Sequence, residues 1–111
     1  MENKQISKTI SLSDKAIKEC YINIRSQLIK LLYMIENEQK GEGSAELWFY
    51  GFMYELISAN ELCKENLVRV VVKIHGLYKD SKYKTMTHSQ IKKQIMECKG
   101  IVDHLIKEIV L

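Results

Sequence analysis

Val68-Arg69-Val70-Val71-Val72-Lys73-Ile74 is the stretch on which the fold turns. Read with a period of two, its valines alternate as in a half-buried strand. Read with a period of 3.6, Leu67, Val71, Ile74 and Tyr78 fall on one helical face. A lone strand leaves its backbone N–H and C=O groups without partners, and nothing else in the chain reads as strand. The segment from Glu61 to Tyr78 is therefore predicted helical.

The residues that follow carry the plainest helical signal. Thr87 with Gln90 three positions on forms a capping box, and Ile91, Ile95, Cys98, Val102, Leu105 and Ile109 then recur in steps of four and three, the seam of a helix bundle. Gly100 lies off that seam. In an exposed helix interior it costs about 1 kcal/mol relative to alanine, so either another backbone approaches it or the helix tolerates it.

Upstream, Ile17, Cys20, Ile24, Leu28, Leu31 and Ile35 also repeat at helical spacing. Ser11 with Asp14 resembles a capping box at one end, and Gly41 and Gly43 stand at the other. These limits predict a helix of roughly 28 residues, about 42 Å long. A second apolar strip, Ile22, Ile29 and Tyr33, points away from the first, so one internal core cannot cover both. It is read either as scattered surface hydrophobes or as a subunit interface. From Leu47 to Ile57 the chain is apolar nearly all round, with Trp48, Phe49 and Phe52 among its aromatics. Such a helix is surrounded by protein, and the flanking Glu46 and Glu55 argue for core or interface packing over base stacking. Ile22, Ile29, Tyr33, Trp48, Phe49 and Phe52 are the expected oligomer interface.

Composition agrees with these elements. The 111 residues include no proline and five glycines, with 46% apolar and 28% charged side chains. Few positions force a break, which favours long helices. The expectation is an all-α, up-and-down four-helix bundle forming one domain over residues 1–111, with 1–11 a flexible or loosely packed N-terminal segment. That segment lacks the apolar run of a secretion signal, and the longest apolar stretch, Leu47 to Tyr54, is far short of a membrane span, so a cytoplasmic protein without membrane contact is expected. Cys20, Cys63 and Cys98 are odd in number and widely spaced, and read as small buried hydrophobes rather than disulfides or zinc ligands.

The net charge of +3 conceals an uneven distribution. Glu36 to Glu65 holds seven acidic residues and two lysines, whereas Lys73 to Lys99 holds seven lysines, Asp80 and Glu97. The lysines are Lys73, Lys79, Lys82, Lys84, Lys92, Lys93 and Lys99. Such a cluster would neutralise phosphates of RNA or DNA in a salt-dependent manner, or meet an acidic surface of a partner. Lys93 with Glu97 and Lys99 with Asp103 are spaced to pair on one helix instead.

Catalytic signals are sparse. No phosphate loop, metal-binding H-E-x-x-H or nucleophile elbow occurs, His88 and His104 read as exposed polar residues, and neither metal nor cofactor is expected. Arg69 and His75, five residues apart in between, resemble the R-x(4 to 6)-H element of HEPN ribonucleases, helical domains in which such a pair cleaves RNA, usually across a dimer. Valines follow Arg69 here, where that family usually has a polar residue.

A second resemblance covers Asn66 to Glu108. Asn66-Leu67-Val68-Arg69, an apolar helix, a short loop with Lys and Tyr, and Met86-Thr87-His88-Ser89-Gln90-Ile91 opening the last helix are similar to the accessory variability determinant proteins of diversity-generating retroelements. Those proteins group with the four-helix bundles encoded in intervening sequences of large-subunit ribosomal RNA genes. The resemblance implies a homopentamer with a basic surface, bound to a reverse transcriptase and its template RNA and without catalytic activity. It also marks Arg69, Lys84, Lys92 and Lys93 as contacts. The sequence thus predicts a non-enzymatic oligomeric accessory protein, the alternatives being a HEPN-like ribonuclease and a helical adaptor that binds only protein.

Overall fold

The computed structural model describes residues 13–111. The expected loose segment 1–11, and with it Ser11, lies outside the described residues.

Four helices follow one another: α1 (Asp14–Gln39), α2 (Glu46–Leu62), α3 (Val68–Tyr83) and α4 (His88–Lys107). α1 packs on α2 and α4, and α3 packs on the same two, while the diagonal pairs are not neighbours. With short connections between successive helices, this is an up-and-down four-helix bundle, as the periodicity predicts. Among the described residues there is no strand, and no helix is long and apolar enough to cross a membrane.

α1 begins two residues later than the Ser11–Asp14 spacing suggests. Asp14 is its first residue, and Ser13 is the N-cap, its hydroxyl accepting from the Ala16 amide at 3.2 Å. At 26 residues the helix is about 39 Å long. It ends where Gly41 takes φ +79°, a left-handed conformation that glycine adopts without strain, and the Glu42 amide turns back to Asn37 O at 2.8 Å.

Among the described residues the core contains no polar or charged side chain. α1 contributes Ile17, Tyr21, Ile24, Leu28, Leu31 and Ile35. Tyr21 takes the place expected of Cys20, which is half-buried. Tyr21 tolerates this position because its hydroxyl, at the rim of the core, accepts from Asn66 Nδ2 at 3.1 Å. α2 contributes Phe49, Phe52, Leu56 and Ala59. Phe49 and Phe52 are 0% and 2% exposed, so neither is available to another subunit. Their assignment to an oligomer interface is corrected here: the aromatic helix turns them inward.

Val68 to Ile74 is helical. Its buried line is Val70, Ile74 and Leu77, continuing from Leu67, whereas Val71 and Tyr78 are half-buried flanks. The helix is turned by about one position from the face read in the sequence. The preceding loop explains its start. Asn60 accepts the Leu67 amide on Oδ1 and the Glu65 amide on its carbonyl, each at 2.7 Å. These bonds hold Lys64 and Glu65 at φ 58° and 62°, a conformation costly for residues other than glycine.

α4 opens with both halves of the capping box. Gln90 N donates to Thr87 Oγ1 at 3.1 Å, and Thr87 N donates to Gln90 Oε1 at 2.9 Å. Ile91, Ile95, Cys98 and Val102 are buried, Leu105 is half-buried, and Ile109 lies past the helix end. All three cysteines are free thiols. Burial pushes Cys63 and Cys98 up to about 12, Cys63 with the further influence of the neighbouring Cys20, so both behave as hydrophobes and not as nucleophiles.

Candidate functional site

Folding removes part of the charge asymmetry of the sequence. Because the helices alternate in direction, the acidic end of α1 and the α1–α2 loop lie at the same end of the bundle as the lysine-rich α3–α4 loop. The two sets meet there. Lys92 Nζ is 3.7 Å from Glu36 and 3.1 Å from Gln39 Oε1, and His88 Nε2 is 3.1 Å from Glu38. Glu38 also accepts the Ala45 amide at 3.2 Å, so one carboxylate ties α4 and the start of α2 to α1.

The seven lysines divide accordingly. Lys73 binds Glu97 and Gln94, both at 3.0 Å, across the α3–α4 seam. Lys99 binds Asp103 at 2.9 Å, as the i, i+4 spacing suggests, and Arg25 of α1 reaches the same carboxylate at 3.4 Å. These cations hold the Asp103 carboxyl below the usual carboxylate range, Lys99 having the larger effect. Lys93 does not pair with Glu97, which Lys73 occupies. Lys73, Lys92 and Lys99 are therefore half-buried parts of the bundle's own seams. Lys79, Lys82, Lys84 and Lys93 are exposed and, among the described residues, without an ion-pair partner. Lys82 stands 5.9 Å from the ring centres of Tyr78 and Tyr83, an arrangement that positions a cation beside two aromatic faces.

Arg69 and His75 are not brought together. Six positions on a helix turn them about 120° apart, and they line different grooves. His75 borders an apolar groove of about 200 Å³ between α2 and α3, with Met53, Leu56, Ile57, Val71 and Val72. Arg69 borders a wider groove of about 520 Å³ between α3 and α4, with Lys73, Gly100, Ile101 and His104. His104 bonds to Glu108 at 3.1 Å. Arg69 is exposed and has no ion-pair partner among the described residues.

Gly100 is also accounted for. A Cβ there would meet nothing within 4 Å among the described residues, so none of their backbone approaches it, and it opens onto the α3–α4 groove.

Of the expected interface residues, Ile22, Ile29 and Tyr33 are 38%, 48% and 67% exposed on α1. Trp48 is half-buried, with Lys30 Nζ 5.6 Å above its ring. The sequence reading missed a larger exposed set: Leu47, Tyr50, Tyr54 and Ile57 on α2, and Val68 and Val72 on α3. The signal was present in the spacing of Leu47, Tyr50, Tyr54 and Ile57, which is itself a helical stripe, but in a segment apolar all round no inner face could be told from an outer one. Among the described residues no three His, Cys, Asp or Glu side chains group as metal ligands.

No family model, curated protein or solved structure matches the chain.

Proposed function

We propose that this bundle is a non-enzymatic, oligomeric accessory protein that binds a reverse transcriptase and its template RNA. The observation that carries the RNA half is the group of exposed cations with no ion-pair partner among the described residues, Lys79, Lys82, Lys84 and Lys93, around the end of α3 and the start of α4. Cations already spent on carboxylates gain little from phosphate, whereas these four lose no ion pair when they meet it. The reverse transcriptase half rests on the resemblance of the sequence from Asn66 to Glu108, with Met86-Thr87 opening its last helix.

Binding of single-stranded RNA, followed by fluorescence anisotropy over a salt series, tests the reading. Four phosphate contacts give a slope of log K against log salt of about −3. Replacing the four lysines by glutamine flattens that slope and abolishes binding at physiological salt. The Lys73→Gln variant, by contrast, changes the slope little. Absence of binding even at low salt would overturn the RNA assignment and leave an adaptor for protein alone.

A further inference from the structure

In the linear sequence no cation interleaves with the aromatic residues of α2, which speaks against base stacking there. Folding supplies the cations from another helix. Tyr50 and Tyr54 stand one turn apart on α2, 47% and 60% exposed, with their ring centres 5.2 Å apart at 80° and their hydroxyls 3.2 Å apart. Tyr78 of α3 stands beside Tyr50, with ring centres 6.2 Å apart. The last turn of α3 extends the row, because Lys82 Nζ lies 5.9 Å from the ring centres of both Tyr78 and Tyr83, and Tyr83 is 68% exposed. Tyr54, Tyr50, Tyr78 and Tyr83 thus form one aromatic row across the α2–α3 seam with a cation inside it.

The carboxylates near this row are mostly engaged elsewhere. Glu55 accepts from Gln27 Nε2 at 2.5 Å, on the α1 side of α2, and Asp80 accepts from Thr85 Oγ1 at 2.6 Å. Glu46, one turn before Tyr50, remains on the row. Against it stand Lys82, Lys79 one turn earlier on α3, and Lys84 just after Tyr83, all exposed and without an ion-pair partner among the described residues. Exposed rings beside unpaired cations match what an unpaired nucleic-acid strand presents. Its bases offer π faces to the rings whatever their sequence, and its phosphates follow the cations. A double helix keeps those faces stacked inside, and an uncharged protein surface would leave the lysines unused.

We infer that Tyr50, Tyr54 and Tyr83 stack the bases of single-stranded RNA while Lys79, Lys82 and Lys84 hold its phosphates. The inference rests on the RNA half of the proposed function and deepens it, since the ligand is bound by its bases as well as by its charge.

The test compares two RNAs of equal length and charge, an oligouridylate and the same ribose-phosphate chain without bases, by fluorescence anisotropy. The wild type is expected to prefer the oligouridylate by at least about 100-fold, about tenfold for each ring that takes a base. Tyr50→Ala with Tyr54→Ala cuts this preference to about tenfold or less, binds the abasic chain as the wild type does, and keeps the wild-type salt slope because no charge is removed. Tyr50→Phe with Tyr54→Phe keeps the preference, since the ring and not the hydroxyl stacks. Tyr83→Ala repeats the test should the alanine pair lose its helical circular dichroism. Equal wild-type affinity for the two RNAs, an undiminished preference in the alanine variants, or an equal loss for both RNAs would overturn the inference while leaving the lysine reading intact and the tyrosines to a protein partner. Absence of binding to either RNA at low salt would overturn both.

Discussion

The α1–α4 half of the bundle and the α2–α3 half bury apolar cores of the same kind but treat their surfaces differently. Along α1 and α4, Arg25, Asp103 and Lys99 form one cluster, and Glu36, Glu38, Lys92 and His88 form another, so charged groups fasten the seam from both ends. Between α2 and α3, no ion pair occurs among the described residues, and the seam is an open apolar groove beside exposed Tyr50, Tyr54, Ile57, Val68 and Val72. Ile22, Ile29 and Tyr33 on α1 are exposed too, yet they stand beside the paired charges rather than around a groove. A helix pair closed by ion pairs presents mainly polar surface to water, whereas one that ends in an apolar cleft leaves aliphatic and aromatic side chains there.

Substitutions can break or sharpen this contrast. The largest effect belongs to what the halves share. Phe52→Ala should destabilise the fold by about 3–5 kcal/mol, and Leu28→Ala by about 2–5 kcal/mol, in chemical denaturation. Equal tolerance of Phe52→Ala and Tyr54→Ala would show that the inward face of α2 is misplaced. Next comes the cap of α4, where Thr87→Ala removes the bond that Gln90 N donates to Thr87 Oγ1, leaves the Thr87 amide to donate to Gln90, and should cost about 1 kcal/mol. Gly100→Ala works in the opposite direction. With open space at its Cβ, it should stabilise the single chain by about 0.5–1 kcal/mol, and a loss of stability would mean that another backbone lies there.

The ion pairs of the α1–α4 half give the smallest effect. Asp103→Asn should cost less than about 1 kcal/mol, since Asp103 and Arg25 are each about one-third exposed and solvent screens the pair. The depressed carboxyl fixes the sign with pH: this contribution is present above the unfolded-state pKa of about 3.9 and fades as pH falls through the lower folded value. An acid titration of thermal stability in which D103N differs from the wild type at neutral pH but not at strongly acidic pH would bear this out. A difference that persists in acid would assign the effect to packing.

How far the sequence carried the reading depended on the kind of information each step needed. α4 was legible almost whole, because a capping box and a clean seam are local signals that need no knowledge of neighbours. The helical state of Val68 to Ile74 was legible by elimination, since no second strand existed to pair with it. The inward face of α3 was displaced, with Val70 and Leu77 in the core in place of Val71 and Tyr78, because a run of valines offers apolar side chains in every direction and the neighbouring helices choose among them. The same ambiguity hid which aromatics of α2 face solvent. The lysine cluster misled for a topological reason. Residues distant in sequence, Glu36 and Lys92, or Glu38 and His88, are neighbours only after alternate helices reverse direction. A linear count of charge therefore overstated the basic surface by three lysines, Lys73, Lys92 and Lys99.

The separation of the seven lysines into a paired and an unpaired set is tested most directly by RNA affinity at low salt in two multiple variants. Glutamine at Lys79, Lys82, Lys84 and Lys93 together should weaken binding by at least about 100-fold, whereas glutamine at Lys73, Lys92 and Lys99 together should change it by less than about threefold. Equal losses in the two variants would contradict the account.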